Sequence, residues 1–288
     1  MKIIVWTLMV VMGLVATNAD ASNSRCGDRK SFFKNDELRI IALTADQRLV
    51  KFRECNPARL REIGSVQGLQ APDAALVGID FRVQDGKLYG VGNGGGIYTI
   101  DNKTAVASLV SRLTVALDGQ VFGVDFNPAA NALRIISNTG QNLRHPFAGP
   151  LMFQTQTDGV LNYPVPMTPV TPASGVTGAA YTNNDLDPNT GTTLFDIDTM
   201  LNQVVIQSPP NAGALVATGL LTVDADAPVG FDIYTTLKDY VAIDNDGFAS
   251  LIVGGVPGFY RLNFQTGQAI FIDYLSDGVI DIAIPLNQ

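Results

Sequence analysis

Histidine occurs once in this 288-residue chain, at His145, and cysteine twice, at Cys26 and Cys55. A single histidine excludes H-E-x-x-H zinc chemistry, and with no G-x-S-x-G elbow in the sequence it argues against a Ser-His-Asp triad. The cysteines lack a C-x-x-C spacing, so neither a zinc ribbon nor a thioredoxin-like redox pair is indicated. Charge is scarce too, at 16% of residues, and positive charge scarcer: 19 Lys and Arg stand against 27 Asp and Glu, a net charge of −8. No basic patch shows beyond Arg53, Arg59 and Arg61. Nucleic acids, anionic membranes and polyanionic polymers are therefore disfavoured as partners, because each is held by clustered cations.

Long apolar runs are absent except at the start. The first residues carry one cation, Lys2, an apolar core of about 13 residues from Ile3 to Val15, and small residues at Ala19 and Ala21, which is the pattern of a secretory signal peptide cut after Ala21. Residues 1–21 are thus expected to be removed, leaving no membrane span and an exported chain, secreted, periplasmic or extracellular. In an oxidising compartment the two cysteines are expected to pair. A Cys26–Cys55 disulfide closes a loop of about 30 residues, adds on the order of 3 kcal/mol in the chain-entropy model, and ties segment 22–38 to the first strands.

What the sequence has in abundance is glycine (28) and proline (15) within a 46% apolar composition, the mark of a compact, turn-rich β protein. The stretch Gln120 to Arg144, QVFGVDFNPAANALRIISNTGQNLR, reads as strand, turn, strand, turn, strand. Its opening recurs as LVGIDF (76–81), VTGAAY (176–181), VGFDIY (229–234) and VIDIAI (279–284). The sets begin at Gly78, Gly123, Gly178, Gly230 and Gly278, a period of about 50 residues with about four strands each, which is the spacing of propeller blades. The set beginning at Arg39 lacks an opening strand, and the last strand near the C-terminus lacks followers. The expectation is an all-β, five-bladed β-propeller, a single domain over 39–288, whose final strand pairs with the N-terminal strands and removes the exposed edge. Set five, from VGFDIY to QAIFIDYL, has one strand too many on this reading, and Tyr163 to Pro172 reads as an inter-blade excursion.

Several of these segments carry a further likeness. FGVDFNPAANALRIISNTGQNLR, IALTADQRLVKF, LVGIDF, LYGVGNGGGIYTID, AAYTNN, TTLFDIDT and the Gln-x-Pro-Pro-Asn at 207–211 resemble the domain-of-unknown-function 4394 family, in order, from about Ile40 to Ile284. The resemblance implies a secreted, propeller-like protein. It supplies no settled activity and no catalytic residues.

Candidate site residues come from the repeats. Asp80, Asp125, Asp232 and Asp281 occupy comparable places in the opening strands, with Ala180 in the fifth. As a channel-lining ring they would bind a cation or sugar hydroxyls, or serve as the paired carboxylates of a glycosidase; the plain alternative is that each accepts backbone N–H bonds from the next blade. Asp125, Asn127, Arg134, Asn138, Gln141, Asn142, Arg144 and Tyr181, with Phe126 beside them, supply planar hydrogen-bonding groups and rings that suit a polyhydroxylated ligand, against a reading as turn chemistry. Asp244-Asn245-Asp246-Gly247, Asp196-Ile197-Asp198 and Asp224-Ala225-Asp226 are oxygen-rich in the manner of Ca²⁺ loops. None completes an EF-hand pattern, so no cofactor is expected and solvated turns are the simpler reading. Gly94-Gly95-Gly96 precedes no helix and reads as a hairpin loop, and Asn102-Lys103-Thr104 is a glycosylation sequon. Taken together, the sequence points to a non-catalytic exported binding module for a carbohydrate or a surface protein, with a glycoside-active enzyme and a structural protein without small ligand as the alternatives.

Overall fold

The computed structural model describes residues 38–164 and 172–288. The expected signal peptide, Cys26, most of segment 22–38 and the centre of the Tyr163–Pro172 excursion lie outside the described residues.

Twenty strands form five four-stranded antiparallel sheets. Blade 2 is β4 (Leu76–Arg82), β5 (Lys87–Gly92), β6 (Gly96–Ile100) and β7 (Ala107–Arg112), and blade 3 is β8 (Phe122–Asn127), β9 (Ala132–Ser137), β10 (Asn142–Pro146) and the short β11 (Gln156–Thr157). Blade 4 is β12 (Val176–Tyr181), β13 (Leu194–Asp198), β14 (Gln203–Gln207) and β15 (Leu215–Leu220). Blade 5 is β16 (Ala225–Lys238), β17 (Val241–Val253), β18 (Val256–Leu262) and β19 (Ala269–Tyr274). Blade 1 closes the ring: β20 (Val279–Ala283) pairs with β1 (Arg39–Thr44), which continues to β2 (Arg48–Arg53) and β3 (Asn56–Ser65). Ile41 faces Ala283, Ala42 faces Ile282 and Leu43 faces Asp281, so the expected latch forms in the expected place.

Five apolar clusters fill the spaces between successive blades. Blades 1 and 2 share Ile41, Leu43, Ile79 and Tyr98, whereas blades 2 and 3 share Tyr89, Val91, Phe126 and Phe147. Ile136, Tyr181 and Val205 lie between blades 3 and 4, Phe195, Ile197 and Phe231 between 4 and 5, and Phe52, Phe248, Phe259 and Ile282 between 5 and 1. Inner strands such as β8 and β12 are buried on both faces for nearly their whole length, which is why they read as continuous apolar runs.

The repeated glycine has a packing cause. A Cβ on Gly123 would stand 2.8 Å from the amide nitrogen of Ala179, and one on Gly230 would stand 2.8 Å from the Cα of Asp281. Only glycine lets neighbouring inner strands approach this closely.

Set five departs from the expectation. The segments read as two strands, DYVAIDNDG and FASLIVGG, form one continuous strand, β17, paired with the similarly long β16 through the two-residue turn Asp239-Tyr240, both in the left-handed region. There is no surplus strand. Asp244-Asn245-Asp246-Gly247 is therefore strand, not a solvated turn: Asn245 bonds Asn183 and Thr235, and Asp246 pairs with Arg261. Asp196 and Asp198 are likewise buried in β13. No helix among the described residues is long and apolar enough to cross a membrane.

Candidate functional site

The four inner-strand aspartates converge at the centre of the ring, and each reaches round it in the same direction. Asp281 accepts the N–H of Ile79 (2.7 Å), Asp80 that of Phe126 (2.7 Å), Asp125 that of Tyr181 (3.0 Å), and Asp232 that of Ile284 (2.6 Å). Asp80, Asp232 and Asp281 also accept the amide that follows them in sequence. Each carboxyl thus ties one inner strand to the next blade, and Ala180 is the one place where the stitch is missing.

Asp80, Asp125 and Asp232 each offer an oxygen within 4.8 Å of the others, all three buried. Burial, and then the charge of its neighbours Asp232 and Asp281, pushes Asp80 well above the usual carboxylate range, with the amides of Phe126 and Phe81 opposing. Asp125 is raised by burial and by Asp80 and Asp232. Burial raises Asp281 as well and takes Asp232 up to about 7. No pair of these carboxyls faces an open cleft, as a glycosidase dyad must.

The polar unit of β8 to β10 divides in two. Asp125, Arg134 and Arg144 are cross-strand neighbours on the face of blade 3 that meets blade 4. Arg134, 2% exposed, donates to the Tyr181 hydroxyl (3.3 Å), to Asn142 and Asp158 (both 2.7 Å) and to Asn211 (2.8 Å). Arg144 reaches the same Asp158, and the Asn142 amide donates to the carbonyls of Gly159 and Pro210. These groups meet as expected, but their partners are one another: Arg134 and Asn142 are buried, and only the margin of the network, at Arg144 and Asn211, reaches solvent.

At its margin the Asp196 carboxyl is fully buried with both oxygens unpaired, as is the Oε1 of Gln207. Burial drives Asp196 well above its ordinary range, Arg134 opposing, which favours the neutral acid.

The remaining candidates build turns. Asn138 accepts the amides of Gln120 and Val121, Gln141 clamps Asp118 and Ala116, and Asn127 accepts the amide of Ala130. Phe126 and Tyr181, offered as stacking rings, are each 1% exposed. His145, fully buried between Ser111 and Thr155, is pushed down to about 4 by burial. The Gly94–Gly96 hairpin wraps the Asp73 carboxylate, which accepts the amides of Gly94 and Gly96, the Tyr98 hydroxyl and Arg112.

An open aromatic surface lies elsewhere, on the outer edge of blade 5. Phe271 and Tyr274 of β19 are 43% and 59% exposed, their ring centroids 4.8 Å apart and edge-to-face, and Phe271 stands 5.4 Å from Tyr260 of β18. Gly258 makes the room: a Cβ there would come within 2.9 Å of the Tyr260 ring. Sequence reasoning missed this platform. The available signal was QAIFIDYL itself, which is apolar at both parities of a strand with no further strand to cover it.

A family model described as Domain of unknown function (DUF4394) matches residues 48–283. Among solved structures, the chain is similar to an auxiliary nutrient binding protein from Bacteroides thetaiotaomicron VPI-5482, with 14% identity, 62% of this chain and 46% of that one covered, and a TM-score of 0.36. It is also similar to a structural genomics protein of unknown function from the same strain, with 9% identity, 91% and 70% covered and a TM-score of 0.45. A third, an auxiliary nutrient binding protein from Bacteroides ovatus ATCC 8483, gives 13% identity, 62% and 46% covered and a TM-score of 0.36. The chain spans under half the length of the two nutrient binding proteins, and at these identities and TM-scores no role passes from them to it. No curated protein matches.

Proposed function

This chain belongs to the domain of unknown function (DUF4394) family, and we propose that it is an exported, non-catalytic binding module whose ligand is a carbohydrate. The observation that carries the reading is the exposed Phe271 and Tyr274 pair, backed by the buried ring of Tyr260. A sugar ring offers apolar C–H faces edged by hydroxyls, and two tilted aromatic rings with a phenolic oxygen at the rim match both features. Rings mounted on a four-stranded sheet lose little conformational freedom on binding, which favours affinity from a small surface.

The aspartate ring is scaffold in this reading. Its carboxyls are engaged by backbone amides and withdrawn from solvent, so general acid and base roles do not fall to them. Arg134 is scaffold for the same reason.

A glycan array probed with the mature protein tests the proposal. Wild type is expected to give a discrete set of saturable signals. Phe271→Ala and Tyr274→Ala should each weaken them at least about tenfold, close to 1.4 kcal/mol, with circular dichroism unchanged. An empty array rejects the carbohydrate ligand, and signals that survive both substitutions reject the platform.

A further inference from the structure

Blade 1 carries a concave basic face that the overall charge of −8 conceals. A pocket of about 480 Å³ is lined by Arg39, Lys51, Phe52, Arg53, Asn56, Arg59 and Arg61. The strand register gathers these cations. Arg39 lies directly opposite Arg53, and Lys51 directly opposite Arg61, two residues further along on the same face. Like charges placed opposite one another across a sheet cost stability, so Lys51 facing Arg61 favours an anion between them.

Its isolation is equally telling. Among the described residues, the arginines outside blade 1, together with Arg48, all meet a carboxylate: Arg48 meets Asp46, Arg82 meets Asp85, Arg112 meets Asp73, Arg134 and Arg144 meet Asp158, and Arg261 meets Asp246. The side chains of Arg39, Lys51, Arg59 and Arg61 meet none among the described residues. Glu62, their neighbour on β3, is turned to the other face, where it pairs with Arg48.

We propose that this pocket is a binding site for a small multivalent oxyanion, a ligand bearing several phosphate or carboxylate groups. Arginine forks match the planar or tetrahedral oxygens of such groups bidentately, and one ligand with spaced charges bridges both facing pairs at once. The pocket volume falls in the range of small-molecule sites. The site is separate from the aromatic platform and stands or falls independently of it.

The test is calorimetric titration of the mature protein with tripolyphosphate and with citrate at low ionic strength, alongside melting curves. At least one probe should bind wild type saturably and raise its Tm. Lys51→Glu should weaken that binding at least about tenfold, while the unliganded variant melts at or above wild type, by about 1–2 °C, because a carboxylate then faces Arg61. Lys103→Glu, an equal change of net charge in an exposed turn of blade 2, should leave affinity unaltered. Absence of saturable binding by either probe, undiminished affinity in Lys51→Glu, a lower Tm for that variant, or an equal loss in Lys103→Glu would each overturn the proposal.

Discussion

Raising the pH through neutrality should destabilise this protein, and the cause lies in the aspartate ring. An unfolded aspartate titrates near 3.9, whereas burial lifts Asp232 in the folded ring to about 7. Between those values the folded protein holds a proton that the unfolded chain has released, so stability falls as pH rises. The contribution is fully present below about pH 4 and is lost as pH climbs through about 7. An interval of about 3 in pH, at about 1.4 kcal/mol for each, sets an upper bound of about 4 kcal/mol for Asp232 alone. Asp80, Asp125, Asp196 and Asp281 are shifted in the same direction. His145 acts the other way: depressed to about 4, it contributes stability that is lost as pH falls below its ordinary 6.5, one proton against several. Above about 6.5 histidine no longer opposes, and the carboxyls alone set the slope. Urea denaturation at stepped pH and constant ionic strength reads it out. Wild type should lose stability from about pH 6.5 to 7.5 as Asp232 ionises. Asp232→Asn should be less stable at low pH, by about 1–3 kcal/mol for the amide left without an acceptor, and should show a shallower slope, so that its deficit narrows as pH rises. A flat or rising profile over that interval in wild type would refute the argument that these carboxyls carry protons.

Other consequences are as direct. Arg134→Ala leaves the buried Asn142 oxygen without its donor and Asp158 with Arg144 alone, and should cost about 1–3 kcal/mol by denaturant unfolding, while glycan signals per folded molecule stay as in wild type. Five of the six carboxyl oxygens of Asp80, Asp125 and Asp232 already accept backbone amides, so millimolar Ca²⁺ or EDTA should leave Tm unmoved; a rise with Ca²⁺ would make the ring a metal site. Gly96→Ala drives a Cβ to 2.4 Å from the Asp73 carboxylate and should lower Tm by several degrees in a melting curve. We propose that Cys26 pairs with Cys55, which a non-reducing peptide map would show as one linked peptide.

The propeller was legible because its repeat has backbone causes that leave a mark at every turn of the ring. Gly123 and Gly230 are needed for close approach, and Asp80, Asp125, Asp232 and Asp281 for cross-blade amides, so both letters recur. The long β16–β17 hairpin was not legible. Asp244-Asn245-Asp246-Gly247 has turn composition, and what holds it as strand is contact with Asn183 and Thr235, groups distant or across the sheet. The polar unit around Arg134 was found and its setting misjudged, since an interior cluster and a surface groove have the same composition, and Asp158 and Asn211 lie 24 and 77 residues away. The basic face escaped for a related reason: Arg39 and Lys51 join Arg53, Arg59 and Arg61 only through strand register. Phe271 and Tyr274 were passed over because QAIFIDYL reads only as a strand, and its composition does not say which of its rings stay uncovered.

The claim that binding belongs to the rim of blade 5 while the centre of the ring is scaffold is tested most directly by a crystal structure with the strongest glycan from the array. A sugar ring lying against Tyr274 and Phe271, with the carboxyls of Asp80, Asp125, Asp232 and Asp281 still on their backbone amides, is the predicted result. Sugar density in the central channel, contacting those aspartates, would contradict it.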